Sequence, residues 1–126
     1  MAKARVLLDT NALLIPFQFG INIESELDRL LGSCEILVPS SVVGEIAHLA
    51  GGKYSKAAAR LCAKFRAVDC TSAPTVDDGI LDLAGRMRAV VVTCDRALQK
   101  RLLSAGLRVV VMRGKNHLVL LPTGRS

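Results

Sequence analysis

Short apolar runs alternate along this chain with segments of helical spacing, and that alternation limits the fold more than any other feature. The first run, Arg5-Val6-Leu7-Leu8, has the continuous apolar character of a strand buried on both faces, and it stops at Asp9-Thr10-Asn11. A second run, Cys34 to Val38, stops at Pro39, and a third, Ala89 to Thr93, ends at Cys94-Asp95. Arg108 to Met112 and Leu118 to Leu121 read as strands joined by a hairpin-like turn at Arg113–Asn116. Strands separated by helices call for a mainly parallel, right-handed α/β sheet with helices on both faces and a C-terminal hairpin. With 126 residues, 51% of them hydrophobic, the chain is expected to form one domain over residues 1–121, with 122–126 as a frayed tail.

Helical segments fill the intervals. Leu13 to Gly20, which contains Pro16, reads as a short helix or turn followed by a connector. Ile23, Leu27, Leu30 and Leu31 repeat at helical spacing after Asn22, with Glu24 and Glu26 in the positive first turn and Gly32 as the stop. Ser40-Ser41 is expected to cap a helix that runs to Gly51-Gly52, and Lys53 to Val68 reads as one further helix with a basic, solvated face. A loop from Cys70 is closed by Pro74, and Thr75-Val76-Asp77-Asp78 opens the next helix. The last helix is Arg96 to Ala105, which sets Arg96 and Lys100 on one face with Arg101 beside them.

In such a sheet the chemistry collects at the carboxyl ends of the strands. Asp9 and Asp95 both leave that edge, and Glu45 and the Asp77-Asp78 pair lie in the first turns of helices that start there. Taken singly, each acid has a plain structural explanation. Asp9 caps a helix, Glu45 lies on the surface of an amphipathic one, and an acid at a helix start complements the macrodipole. Taken together, converging carboxylates repel and raise one another's pKa, which makes sense chiefly beside a divalent cation. Oxygen ligands without His or Cys select a hard ion, Mg²⁺ or Mn²⁺.

The remaining composition narrows the function. Seventeen Lys and Arg against 11 Asp and Glu give a net charge of +6, which favours a polyanionic partner, while one Tyr, three Phe and no Trp leave few stacking platforms for bases. Four cysteines without a C-x-x-C pair, and two histidines not spaced to join them, argue against a zinc site and for reduced thiols. No apolar run is long enough to span a membrane, and Met1–Arg5 leads into the first strand without a signal-peptide pattern, so a cytoplasmic protein without membrane partners is expected. Phosphoaspartyl chemistry fits poorly. Haloacid-dehalogenase-type enzymes want a second Asp where Asn11 stands, and receiver domains want an acid pair at the first strand and a lysine at a late strand end.

Asp-Thr-Asn after the first strand, the Ser41-x-x-x-Glu45 helix, the Asp77-Asp78-Gly79-Ile80-Leu81 helix start and Val91-Val92-Thr93-Cys94-Asp95, in this order, resemble the PIN-domain nucleases over nearly the whole chain, from Val6 to about Val111. The doubled acid and the Thr-x-Asp before a basic helix look more like the archaeal relatives of the eukaryotic small-subunit ribosomal RNA processing nuclease than like a VapC-type toxin. The resemblance implies a three-layer PIN-like fold and a metal-dependent endoribonuclease that leaves 5′-phosphate and 3′-hydroxyl ends. It implies Asp9, Glu45, Asp78 and Asp95 as catalytic, metal-binding acids. Asn11 and Thr93 follow as polar supports, Ser41 shares the helix face of Glu45, and Asp77 is an outer acid or a cap. Asp78 is preferred to Asp77 because it directly precedes the small-then-apolar run. Arg96, Lys100 and Arg101 are the candidates for RNA phosphates. Structured ribosomal RNA is the substrate this subfamily implies; a homodimer, an antitoxin or a ribosome-assembly partner are the protein partners it allows. A non-cleaving RNA-binding assembly factor is the alternative from the binding class.

Overall fold

A computed structural model describes residues 3–49, 51–70 and 74–122. Its elements follow the chain as β1 (Ala4–Leu8), α1 (Thr10–Phe19), α2 (Ile23–Leu31), β2 (Cys34–Pro39), α3 (Ser40–Ala47), α4 (Ser55–Lys64), β3 (Arg66–Val68), α5 (Val76–Met87), β4 (Val90–Val92), α6 (Arg96–Ser104), β5 (Val109–Arg113) and β6 (His117–Leu121). The strands form one sheet in the order β3-β2-β1-β4-β5-β6, parallel except for the β5–β6 hairpin. Crossovers through α1 to α4 run one way from β1 and those through α5 and α6 run back past it, so right-handed connections put helices on both faces.

The centre of the sheet is built as its apolar runs require. Val6, Leu7 and Leu8 of β1 and Val91 and Val92 of β4 are fully buried, and they pack with Leu13, Leu27, Leu37, Leu98 and Leu102 from the flanking elements. Leu8 faces Val92 in the parallel register, so Asp9 and Thr93 leave the two middle strands side by side. That register fixes the site.

Several boundaries differ from expectation. The segment Lys53 to Val68 is a shorter helix, α4, followed by the edge strand β3, which pairs Arg66, Ala67 and Val68 with Leu37, Val38 and Pro39. Three residues, two of them exposed, carry too little alternation to announce a strand. Helix α3 has Pro39 in its N-cap position and no side-chain cap; Ser40 Oγ accepts the Cys70 amide at 2.8 Å instead, and the helix ends at Ala47, before the glycines. Helix α1 begins directly at Thr10 and continues through Pro16 to a left-handed C-cap at Gly20 (φ 67°), whose amide returns to the Pro16 carbonyl. All four cysteines are free thiols. Of the expected loop after Cys70 and the expected tail, residues 71–73 and 123–126 lie outside the described residues.

Candidate metal centre at the carboxyl edge

Asp9 is the N-cap of α1, and its side chain is held from both ends. Oδ1 accepts the Ala12 amide at 2.8 Å, and Oδ2 accepts a short hydrogen bond from the hydroxyl of Thr93. Only 6% of Asp9 is exposed and none of Thr93, so this carboxylate is nearly removed from water. Burial pushes its pKa up to about 6; the bonds from Thr93 and Ala12 oppose the rise, and the nearby carboxylates of Asp77 and Asp95 add to it.

Thr93 ties two acids together. While its hydroxyl donates to Asp9, the same oxygen accepts the amide of Asp95 at 3.1 Å. Asp95 in turn caps α6, with Oδ1 accepting the amides of Ala97 and Leu98. Sequence reading missed Gln99, one turn into α6, whose side-chain amide donates to the Thr93 carbonyl at 2.9 Å and holds the strand end to the helix. Its signal was only the i+4 spacing from Asp95.

Glu45 arrives from α3. Thr10, the first residue of α1, gives its hydroxyl to Glu45 Oε1, which brings that exposed acid next to Asp9 along the chain. Thr10 too was passed over, being read only as part of a capping turn. Ser41 lies one turn before Glu45, and its Oγ is a buried polar atom with no partner among the described residues.

The doubled acid of α5 is sorted in the reverse of the expected order. Asp78 turns to Arg101 of α6 at 2.6 Å, and this bond, with the Thr75 hydroxyl, holds its carboxyl below the usual range. Asp77 is the member that meets the other acids. Partial burial raises its pKa, and the charge of Asp95, a hydrogen bond with Asp95 and the charge of Glu45 add to the rise, while Arg101 opposes it. Successive helical residues point about 100° apart, so only one of two adjacent acids faces the crevice, and the cation on α6 claims the other. Arg101, expected on RNA phosphates, is thereby engaged within the protein. Arg96 and Lys100 are exposed and form no salt bridge among the described residues. Asn11 is exposed in the first turn of α1, with no side-chain hydrogen bond among those residues.

Three helices, α1, α5 and α6, begin at this crevice, each with a side-chain cap, so their positive ends face the gathered acids. Among the described residues no group of three or more His, Cys, Asp or Glu side chains is already arranged to hold a metal ion. The donor set nevertheless fits a hard cation: it is all carboxylate, and two members, Asp9 and Asp77, are pushed toward protonation by burial and by neighbouring carboxylates. A loose set suits an ion that keeps much of its water.

Comparison with known proteins gives a consistent picture. The pattern of one family, described as a PIN like domain, matches residues 6–115. Ribonuclease VapC4 of Methanocaldococcus jannaschii is 28% identical over 123 residues, an alignment that spans 90% of this chain and 93% of that protein. The solved structure titled as the PIN domain endonuclease Utp24 shares the fold with a TM-score of 0.81 at 22% identity, covering 94% of this chain and 92% of the other.

Proposed function

The chain belongs to the PIN-like domain family, and from that premise we propose that it is a divalent-metal-dependent endoribonuclease that hydrolyses RNA phosphodiester bonds, with ribosomal RNA processing as its setting. The observation that carries the proposal is the bond from Thr93 to Asp9 with Asp95 and Asp77 beside it: a buried acid, locked in orientation and crowded by like charges. The likeness to Ribonuclease VapC4 supports the ribonuclease part, and the fold shared with Utp24 suits it.

Asp9, Asp77, Asp95 and Glu45 would hold the ion, Mg²⁺ or Mn²⁺, with Asp78 withdrawn onto Arg101. When bound, the ion supplies a lowered pKa for an attacking water and positive charge for the developing oxyanion. The protein's own residues do the positioning. Ala12 and Thr93 fix both oxygens of Asp9, and Ala97 and Leu98 fix one oxygen of Asp95, so the carboxylates are oriented before substrate arrives. The starts of α1, α5 and α6 offset the repulsion between these acids and a phosphate. The Ser41 hydroxyl, without a partner, is available to a water or phosphate oxygen on the Glu45 side.

The deciding experiment is cleavage of ribosomal, transfer and messenger RNA fragments with Mn²⁺ or Mg²⁺, with and without chelator, by the parent and by Asp9→Asn. The parent is expected to cut, and chelation or the substitution to abolish cutting. Undiminished cleavage by Asp9→Asn rejects the assignment, and a parent that binds RNA without cutting makes the chain a binding factor. The VapC4 likeness favours a second biological role, a toxin-type ribonuclease restrained by an antitoxin. Growth arrest on expression of this chain alone separates that role from ribosomal RNA processing.

A further inference from the structure

The edge of the sheet remote from the acids carries a cleft of about 510 Å³, lined by Lys3, Ala4, Arg5, Glu35, Met87 and Arg88. Val6 faces Val90, so β4 starts two residues later than β1, and beside Ala4 and Arg5 stands the end of α5 in place of a ladder partner. Arg5 is opposite Glu35 in the register, and Arg66 of β3 reaches Glu35 at 3.7 Å, so the acid of the cleft is already paired. Lys3, Arg5 and Arg88 are exposed and form no salt bridge among the described residues. Arg88 is also the C-cap of α5, in left-handed backbone (φ 53°, ψ 47°). Every other positive-φ position among the described residues is a glycine.

A cation beside a helix C-terminus complements the macrodipole, and Arg5, which donates to the Met87 carbonyl at 3.4 Å, already does so. Glycine would close α5 at Arg88 with less backbone strain. An arginine held where its backbone is disfavoured, next to two more unpaired cations, points to an anion from outside the molecule. We propose that this cleft is a second phosphate site, at the opposite edge from the acids, which takes the backbone of an RNA strand on Lys3, Arg5 and Arg88. Helix α5 joins the two sites: it opens beside the acids with Asp77 and Asp78 and ends at Met87, a span of about 18 Å for its 12 residues. A strand that touches both sites is therefore at least about five nucleotides long, at a stacked rise of about 3.4 Å each. The lining offers only Ala4 and Met87 as apolar surface, so a docked peptide would gain little there.

The proposal rests on the ribonuclease reading for its ligand, and it is tested by binding in chelator, where nothing is cut. Fluorescence anisotropy is measured with a labelled single-stranded RNA of about 20 nucleotides, long enough to span both edges. Arg88→Gly is expected to weaken binding roughly 3- to 10-fold and to flatten the slope of log affinity against log salt by about 0.7. The same variant is expected to melt at or above the temperature of the parent, because glycine accepts the left-handed backbone. Arg88→Lys, which keeps the charge, and Lys56→Ala, which removes an equal charge from the exposed face of α4, are expected to bind within about 2-fold of the parent. Unchanged affinity in Arg88→Gly, or a loss matched by Lys56→Ala, overturns the proposal, and so does an Arg88→Gly that melts below the parent, since the arginine then serves the fold. Micromolar tripolyphosphate that raises the melting temperature of the parent and not of Arg88→Gly makes the ligand a free phosphate compound and overturns the RNA assignment. Cleavage that depends on Asp9 together with unchanged Arg88→Gly binding removes the cleft and keeps the nuclease; a parent that cuts nothing yet shows the Arg88 effect does the reverse.

Discussion

Burial makes the charge on Asp9 costly to the fold. An aspartate in water titrates near 3.8 and this one near 6. Between those values the folded chain keeps a proton that the unfolded chain has released, so unfolding free energy falls as pH rises through the window, and the loss is complete above it. For a carboxylate this buried the shift corresponds to about 3 kcal/mol. In Asp9→Asn the carbonyl keeps the Ala12 cap and the amide turns to the Thr93 oxygen, which relieves most of that burden. Thermal melts in chelator are expected to show the variant melting several degrees above the parent near pH 7, with the margin closing toward about pH 4. Parallel pH curves would contradict the raised pKa. Thr93→Val is the complementary change. It deletes the donor to Asp9 and the acceptor for the Asp95 amide, destabilises the fold by about 1–3 kcal/mol, and lifts the Asp9 pKa further. The acid limb of the cleavage rate against pH is therefore expected to move to higher pH, which a purely structural role for Thr93 would not produce.

At the scale of the element, the site is made of helix starts. Asp9 and Asp95 are N-caps and, under the proposed function, site acids at once, and substitution separates the two duties. Asp95→Asn keeps the bonds to Ala97 and Leu98 and is expected to leave stability within about 0.5 kcal/mol while cutting metal-dependent turnover. Asp95→Ala is expected to lose about 1 kcal/mol as well, measured by denaturant unfolding. This double duty also decides what could be read from residues alone. Strand ends at Asp9 and Asp95 were visible because an apolar run meets a polar stop, and α2 and α6 because their faces repeat with helical period. The choice between Asp77 and Asp78 was hidden, since it depends on Arg101 reaching over from another helix. Strand β3 was hidden for a related reason: its partners, Leu37 to Pro39, define it, and its own three residues do not.

At the scale of the whole molecule, distant parts of the chain are joined by a clamp that no local pattern announces. Glu26 of α2 accepts the amide of Leu118, 92 residues away, at 2.8 Å, while Arg29 donates to the Leu118 carbonyl and to Glu26. Arg29, and then the Leu118 amide, hold the Glu26 carboxyl down at about 2. Its contribution to stability is therefore present above about pH 4.5 and is lost as pH falls through 2. Glu26→Ala is expected to lower the melting temperature near neutrality, to match the parent near pH 2, and to speed hydrogen exchange at the Leu118 amide; unchanged exchange there would show that the clamp does no holding. Leu118 lies on β6, whose ladder partner is β5, so α2 occupies the groups that an outer strand would otherwise offer to water. On the opposite margin β3 presents three residues only. A guest peptide seeking to lengthen the sheet meets a rung already taken at one side and a ladder of three residues at the other.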